Sequence, residues 1–323
     1  MVVHSKWQQL PTEAINPSSL GIDKLSPSAI IDLMADEDRK VIAAVAKEKE
    51  RIALGVDIIS QAIRRGGRLF FIGAGTSGRL GALEAAEIPP TFGTAPSLVR
   101  AVMAGGHRAL VQAREGVEDD YEEGARALAR LRPTSKDVVV GVSASGMTPF
   151  VRGGLNRARR AGAKIVFVTC YPRTELQAFV DLTIAPAVGP EVIAGSTRLK
   201  AGTATKMVLN MLTTAAMVRV GKTYGNLMVD VQTTSEKLKD RARRILVIVG
   251  GVDYEAAGKL LKQARWNVKV AIVMQKTGLN YRQALARLKR ADDVVREAIG
   301  EDVEPRLRRL LESSGAAGTP SRP

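Results

Sequence analysis

The stretch "RLFFIGAGTSGRLGALEAAEIPP", Arg68 to Pro90, runs from a short apolar segment through a glycine-rich turn into a helical pattern. Gly73, Gly75 and Gly78 satisfy G-x-G-x-x-G at the point where a strand ends and a helix begins. Backbone amides at such a junction face an anion with a favourable helix dipole. The spacing predicts a strand to Ile72 and a helix from near Gly78 that stops before Pro89-Pro90. Two nucleotide readings fail here. A dinucleotide fold needs an acidic residue about 20 positions further on to hold the ribose, whereas this chain reads "SLVRAVMAGG". A Walker loop needs Lys-Ser/Thr after the glycines, and none follows. The loop offers instead the hydroxyls of Thr76 and Ser77.

A second loop repeats the design. "DVVVGVSASGMTP" is an apolar run followed by Ser143, Ser145 and Thr148 around Gly146. Further short runs, "SLVRAVMA" (97–104), "KIVFVTC" (164–170) and "LTIAPAV" (182–188), alternate with helical segments. That alternation predicts an α/β fold, a parallel sheet with helices on both faces in three αβα layers. Loops at the C-terminal ends of such strands converge on the crevice where these sheets bind ligands. Hydroxyl and amide donors without a nucleotide signature suit a phosphate monoester on a small polar molecule.

Around this core, residues 1 to about 25 read as an arm containing Pro11 and Pro17, and 26–67 as two helices. "TKMVLNMLTTAAMVRVGK" (205–222) is a strongly apolar helix for the core or a dimer contact. After Ser235 the pattern is helical and punctuated by Gly250, Gly251 and Gly278, which predicts a small three-helix unit. The expected division is 1–67 arm and helices, 68–235 sugar-phosphate domain, 236–300 helical bundle and 301–323 mobile tail.

The 323 residues carry a net charge of +15, yet basic and acidic residues alternate and aromatics are only 4%. Base-stacking platforms are then hard to assemble, and no nucleic-acid partner is expected. One cysteine, Cys170, and two histidines, His4 and His107, leave no set of zinc ligands. No run reaches the length of a membrane span and the N-terminus lacks a signal-type apolar core, so a cytoplasmic protein without a membrane partner is expected.

Six blocks carry a family resemblance: "TEAINPSSLGIDKLSP", "ADEDRKV", "GAGTSGRLGALEAAEIPPTFG", "EGVEDD", "VGPEVIAGSTRLKAGTATKMVLNML" and "GKTYGNLMVDV". Both loops look like those of sugar isomerase (SIS) domains. The six blocks together, covering about Thr12 to Ala298, resemble the N-acetylmuramic acid 6-phosphate etherases, with a C-terminal part similar to a ubiquitin-associated-like bundle. The glucokinase regulatory protein, a non-catalytic sugar-phosphate binder, shares parts of the pattern and supplies the alternative reading. The resemblance implies loss of the lactyl ether from C3 of N-acetylmuramic acid 6-phosphate, giving N-acetylglucosamine 6-phosphate and D-lactate. Opening the sugar to its C1 aldehyde makes the C2 proton abstractable, lactate leaves by elimination, and water adds to the double bond. No cofactor and no metal are implied, and a homodimer is.

Such an elimination needs a base for the C2 proton and an acid for the departing oxygen. Glu84 and Glu87 lie on the helix after the first loop, and Glu115, Glu118, Asp119 and Asp120 follow the strand "SLVRAVMA" and the helix "HRALVQA". Spacing alone does not choose among them. By resemblance, Glu87 in "AAEIPP" matches the acid that protonates lactate, and Glu118 in "EGVEDD" matches the base at C2. Gly75, Thr76, Ser77, Gly78, Ser143, Ser145, Gly146 and Thr148 are the expected phosphate ligands, with Lys206 assisting. Glu84, Glu122 and Glu123 read as solvated helix faces, His107 as an exposed helix start, Cys170 as packed, Lys200 as a helix-surface lysine and Glu191 as near the site. The family has Arg where this chain has Met147 in "SGMTP".

Overall fold

The computed structural model describes residues 10–233 and 235–313; His4, the start of the arm and the tail beyond Ser313 lie outside the described residues. In chain order the regular elements are α1 (Pro27–Lys47), α2 (Lys49–Arg64), β1 (Leu69–Gly73), α3 (Gly75–Phe92), β2 (Val99–Met103), α4 (Arg108–Val111), α5 (Tyr121–Ala129), β3 (Val138–Val142), α6 (Pro149–Arg160), β4 (Lys164–Val168), β5 (Leu182–Ile184) and α7 (Lys200–Arg219). They are followed by α8 (Glu236–Gly250), α9 (Tyr254–Gln263), α10 (Val268–Thr277), α11 (Tyr281–Arg290), α12 (Val295–Ile299) and α13 (Glu304–Ser313).

All five strands pair in parallel in the order β2-β1-β3-β4-β5. β1 and β3 are buried along their whole length, as strands covered by helices on both faces must be. In register, Gly73 at the end of β1 stands opposite Met103 of β2 and Val142 of β3, so the loops after these strands leave the sheet at one level. One face packs Phe70, Ile72, Val139, Leu128, Phe150, Leu155 and Phe167 into a single cluster. Each such side chain contributes about 1.5–3 kcal/mol through area removed from water.

The two helices expected before the sheet are α1 and α2, parted only by Glu48. Ser26 caps the first by accepting from the Ala29 amide at 3.3 Å, with Pro27 in the first turn. Helix α3 departs from the sequence reading at both ends. It starts at Gly75 and runs through Pro89 and Pro90 to Phe92. Proline forbids a helical hydrogen bond, but its fixed φ suits a helix. The turn therefore continues until Gly93, whose amide donates to Pro89 O at 2.9 Å and whose φ is +62°.

Chain contacts divide the molecule into two compact units, Met1–Glu87 with Ala95–Ala216, and Ile88–Thr94 with the residues from Met217 onward. The second unit has its own apolar cluster, including Leu246, Leu261, Val270, Ile272 and Leu288. Gly251 and Gly278 end α8 and α10 in left-handed conformation, as the sequence pattern indicates. The three helices expected over 236–300 are in fact five. Arg265 and Trp266 adopt φ of +54° and +62° between α9 and α10, and Asp292 and Asp293 adopt +50° and +60° between α11 and α12. No glycine or proline marks either break.

A close backbone approach in the first unit lies under the glycine-rich turn. A Cβ on Gly78 would stand 2.7 Å from Gly73 O and 3.0 Å from Met103 Cγ. Gly78→Ala is therefore expected to destabilise the protein by about 1–3 kcal/mol through overpacking, read as a lowered urea midpoint with an unchanged slope. An unchanged midpoint would show that strand and helix can separate here without cost.

Candidate active site

The two hydroxyl loops meet. Thr76 and Ser77 at the start of α3, and Ser143, Ser145 and Thr148 after β3, line one cavity of about 400 Å³ at the C-terminal ends of the strands, together with Gly75 and Glu118. Gly75 takes a φ of +53°, which lets the chain turn sharply from β1 into the helix. The second loop is braced from within. Ser143 Oγ and Thr148 Oγ1 share a hydrogen bond of 2.7 Å, the Gly146 amide donates to Ser143 Oγ at 3.2 Å, and the Met147 amide donates to Ser145 Oγ at 3.4 Å. These bonds hold the hydroxyls in place at the cavity wall.

Four of the residues named from sequence do not line this cavity. Gly78 lies beneath it as the contact point of strand and helix. Gly146 has a φ of +73°, and a Cβ there would meet Thr174 at 2.9 Å, so it shapes the loop from behind. Lys206 is exposed on α7. Glu87 is exposed on α3 and stands eleven residues beyond Thr76, about 16 Å further along the axis at 1.5 Å per residue.

Glu118 enters from the 3-10 turn Val117–Asp119, preceded by Gly116 at φ +78°. It is half-buried at the cavity wall. Positive charge comes from Arg79 and Arg114, which also line the cavity. Arg79 is fixed by donating to Ala109 O at 2.8 Å and Leu110 O at 3.0 Å, and Arg114 donates to Gly105 O at 3.2 Å. Neither arginine was singled out from sequence, although Arg79 directly follows the last glycine of the motif. Glu13 and Glu115 add two further carboxylates, and Gly195 and Thr197 close the wall from a distant segment.

Glu84 corrects the sequence reading. It is 5% exposed rather than solvated, and accepts hydrogen bonds from Thr213 Oγ1 at 2.6 Å and from the Asn210 amide. Burial pushes its carboxyl above the ordinary range, opposed by the Thr213 bond and the charge of Lys206, and the charge of Glu87 adds to the rise. Lys206 and Glu87 thus both stand near enough to Glu84 to bias it. Glu123 is paired with Arg126 and Arg130, His107 is exposed, and Cys170 is buried with its thiol pushed up to about 12.

Lys200 is the second correction. It is buried, not on a helix surface, and its Nζ donates to Glu37 at 2.6 Å and to Pro190 O at 2.9 Å. Asn16 Nδ2 donates to the same Glu37 at 3.0 Å. Glu191 is wholly buried and caps α7, accepting from the Lys200 and Ala201 amides at 2.9 Å each. It does not line the cavity. Together these groups tie the arm, α1 and the segment before α7 into one clamp beside the site.

Residues 51–159 match the profile of the glucokinase regulatory protein N-terminal SIS domain. The N-acetylmuramic acid 6-phosphate etherase of Nostoc punctiforme is 51% identical over 270 residues, covering 84% of this chain and 88% of that one. That of Geobacillus thermodenitrificans is 48% identical over 292 residues, covering 90% and 99%. Among solved structures, a phosphoheptose isomerase from Neisseria gonorrhoeae aligns with a TM-score of 0.44 at 16% identity, covering 58% of this chain and 97% of that one.

The clamp makes a pH prediction. Burial opposes ionisation of Glu37, but hydrogen bonds from Lys200, Lys40 and Asn16 outweigh it and hold the carboxyl at about 2, below the ordinary 4.5. A depressed folded value stabilises above the unfolded value, so stability is present above about 4.5 and is lost as pH falls towards about 2. The loss is on the order of 3 kcal/mol at about 1.4 kcal/mol per unit. Lys200→Met, which strands the buried carboxylate, is expected to cost about 3–5 kcal/mol at pH 7 and to flatten that acid limb. Denaturant melts of both proteins from pH 7 to 2 check this; parallel curves would show that the pair contributes nothing.

Proposed function

We infer that this chain, which belongs to the N-acetylmuramic acid 6-phosphate etherase family, removes the lactyl ether of that sugar phosphate in cell-wall sugar recycling. The observation that carries the reading of the site is the convergence of two hydroxyl loops and Glu118 on one cavity at the sheet's reversal point. Hydroxyls of Thr76, Ser77, Ser143, Ser145 and Thr148, with amides at the start of α3, hold the 6-phosphate in this reading. Arg79 and Arg114 supply the positive field that favours it. Residues 68–235 are taken as the sugar-phosphate domain and 236–300 as the helical bundle.

The chemistry is assigned as follows. With the sugar open at C1, the Glu118 carboxylate takes the C2 proton, and the electron pair expels the C3 oxygen. Glu87 gives that oxygen its proton as D-lactate departs. Water then adds its oxygen at C3 and a proton at C2, so the net change is consumption of one water. A donor at the leaving oxygen matters because an alkoxide leaves poorly.

Glu87 stands too far along α3 to share its own chain's cavity, and its surroundings support pairing of two copies. Leu83, one turn before Glu87 on α3, is 45% exposed, and Met211 on α7 is 42% exposed. The Glu84–Asn210 contact joins these two helices. A homodimer through this face, working in the cytoplasm, is the proposed form, with Glu87 of each copy serving the partner's cavity. The non-catalytic sugar-phosphate sensor is the less supported reading.

Glu87→Gln and Glu118→Gln are each expected to lower lactate release by about 10²–10⁴-fold. Unfolded and refolded together, the two inactive chains re-form wild-type sites in mixed dimers, restoring about a quarter of the activity by random pairing. No recovery would place both carboxylates in one chain. A wild-type protein that binds the substrate and releases no lactate would leave only the sensor.

A further inference from the structure

The elimination requires a prior step to which neither Glu87 nor Glu118 has been assigned. The pyranose must open first, which removes a proton from O1 and delivers one to O5. Three carboxylates line the cavity among the described residues: Glu13, Glu115 and Glu118. Glu115 and Glu118 share one segment. Glu13 reaches the cavity from the N-terminal arm, out of the 3-10 turn Pro11–Glu13. Its carboxylate lies against Gly195, where a Cβ would stand 2.9 Å from Oε2. Any side chain at 195 would therefore displace it.

The turn that carries Glu13 is held from both sides. Thr12 O accepts from the Gly195 amide at 3.0 Å, and Leu10 and Thr12 are buried. Four residues on, Asn16 donates to Glu37 at 3.0 Å and to Pro190 O at 3.4 Å, joining the Lys200–Glu37 pair. The arm is thus fastened to the segment 190–197 at two points, with Glu13 between them. Among the described residues, no hydrogen bond or ion pair engages the Glu13 carboxylate. A free carboxylate on a braced turn at a cavity wall is available to a ligand.

We propose that Glu13 is the catalytic residue of ring opening, a role that rests on the etherase reading above. Its carboxylate accepts the O1 proton as the C1–O5 bond breaks and the C1 carbonyl forms. O5 takes up a proton from the resulting carboxylic acid, so Glu13 ends the step ionised and the sugar gains no net charge. The buried Lys200–Glu37 pair acts through the arm and is a positioning device for it.

Ring opening and closing can be read without lactate, as interconversion of the α and β anomers of N-acetylglucosamine 6-phosphate, followed by NMR exchange. Wild-type protein and Glu118→Gln are expected to accelerate it, and Glu13→Gln to lose about 10²-fold or more of that acceleration with an unchanged melting temperature. Lactate release from N-acetylmuramic acid 6-phosphate is expected to fall in both variants. Anomer exchange by Glu13→Gln at the wild-type rate, or no acceleration by wild type, would overturn the proposal. Undiminished lactate release by Glu118→Gln would instead overturn the assignment of the C2 base and leave the Glu13 result standing.

Discussion

Everything in the first unit depends on the reversal of strand order at β1. The chain leaves β1 for β2 on one edge, then returns to build β3, β4 and β5 on the other. Loops after β1 and β3 consequently depart in opposite directions and leave a crevice between them. Parallel pairing puts Gly73 and Val142 at one level, so both loops open into that crevice. The glycine spacing serves this geometry first. Gly73 and Gly78 let the strand end and helix start touch through backbone, which brings the α3 amides to the crevice floor. That placement favours an anion, and the hydroxyls at 76, 77, 143, 145 and 148 line the same cavity.

A second constraint closes the crevice. The parallel sheet supplies its floor, while its rim needs segments distant in sequence. The buried Lys200–Glu37 pair, with Asn16 and Pro190, fastens three of these together: the arm, α1 and the approach to α7. Burying this ion pair costs solvation that hydrogen bonds largely offset, so its net stabilisation is modest while breaking it is expensive. Its contribution is placement. Together with the bond from the Gly195 amide to Thr12 O, it holds Glu13 and the Gly195–Thr197 wall over the hydroxyl loops.

The sheet and both loops were legible because fully buried parallel strands are unbroken apolar runs, and β1 through β5 are bounded by Gly, Ser, Pro or Asp. Gly251 and Gly278 were legible as helix ends for a related reason, since left-handed caps favour glycine. The breaks at Arg265–Trp266 and Asp292–Asp293 were not, because ordinary residues carry the left-handed backbone there. The end of α3 was misread because two prolines usually forbid what a last helical turn can tolerate. Burial of Glu84 and Lys200 depends on what α3, α7 and α1 pack against, and periodicity does not report partners. Glu13 meets Gly195 across most of the first unit's sequence, a contact with no local signature. Six sequence blocks carry the family resemblance, but that four of them, around Glu13, Gly75, Glu118 and Gly195, meet at one cavity became visible only in the fold.

In the proposed reaction the bond between C3 and the ether oxygen breaks by elimination, and the double bond is then rehydrated. Turnover in water enriched in both oxygen-18 and deuterium tests it most directly. Elimination followed by rehydration places one heavy oxygen at C3 and one deuterium at C2 of the N-acetylglucosamine 6-phosphate formed, with no heavy oxygen in D-lactate. Heavy oxygen in the lactate, or a C2 position that keeps its original hydrogen, would contradict it.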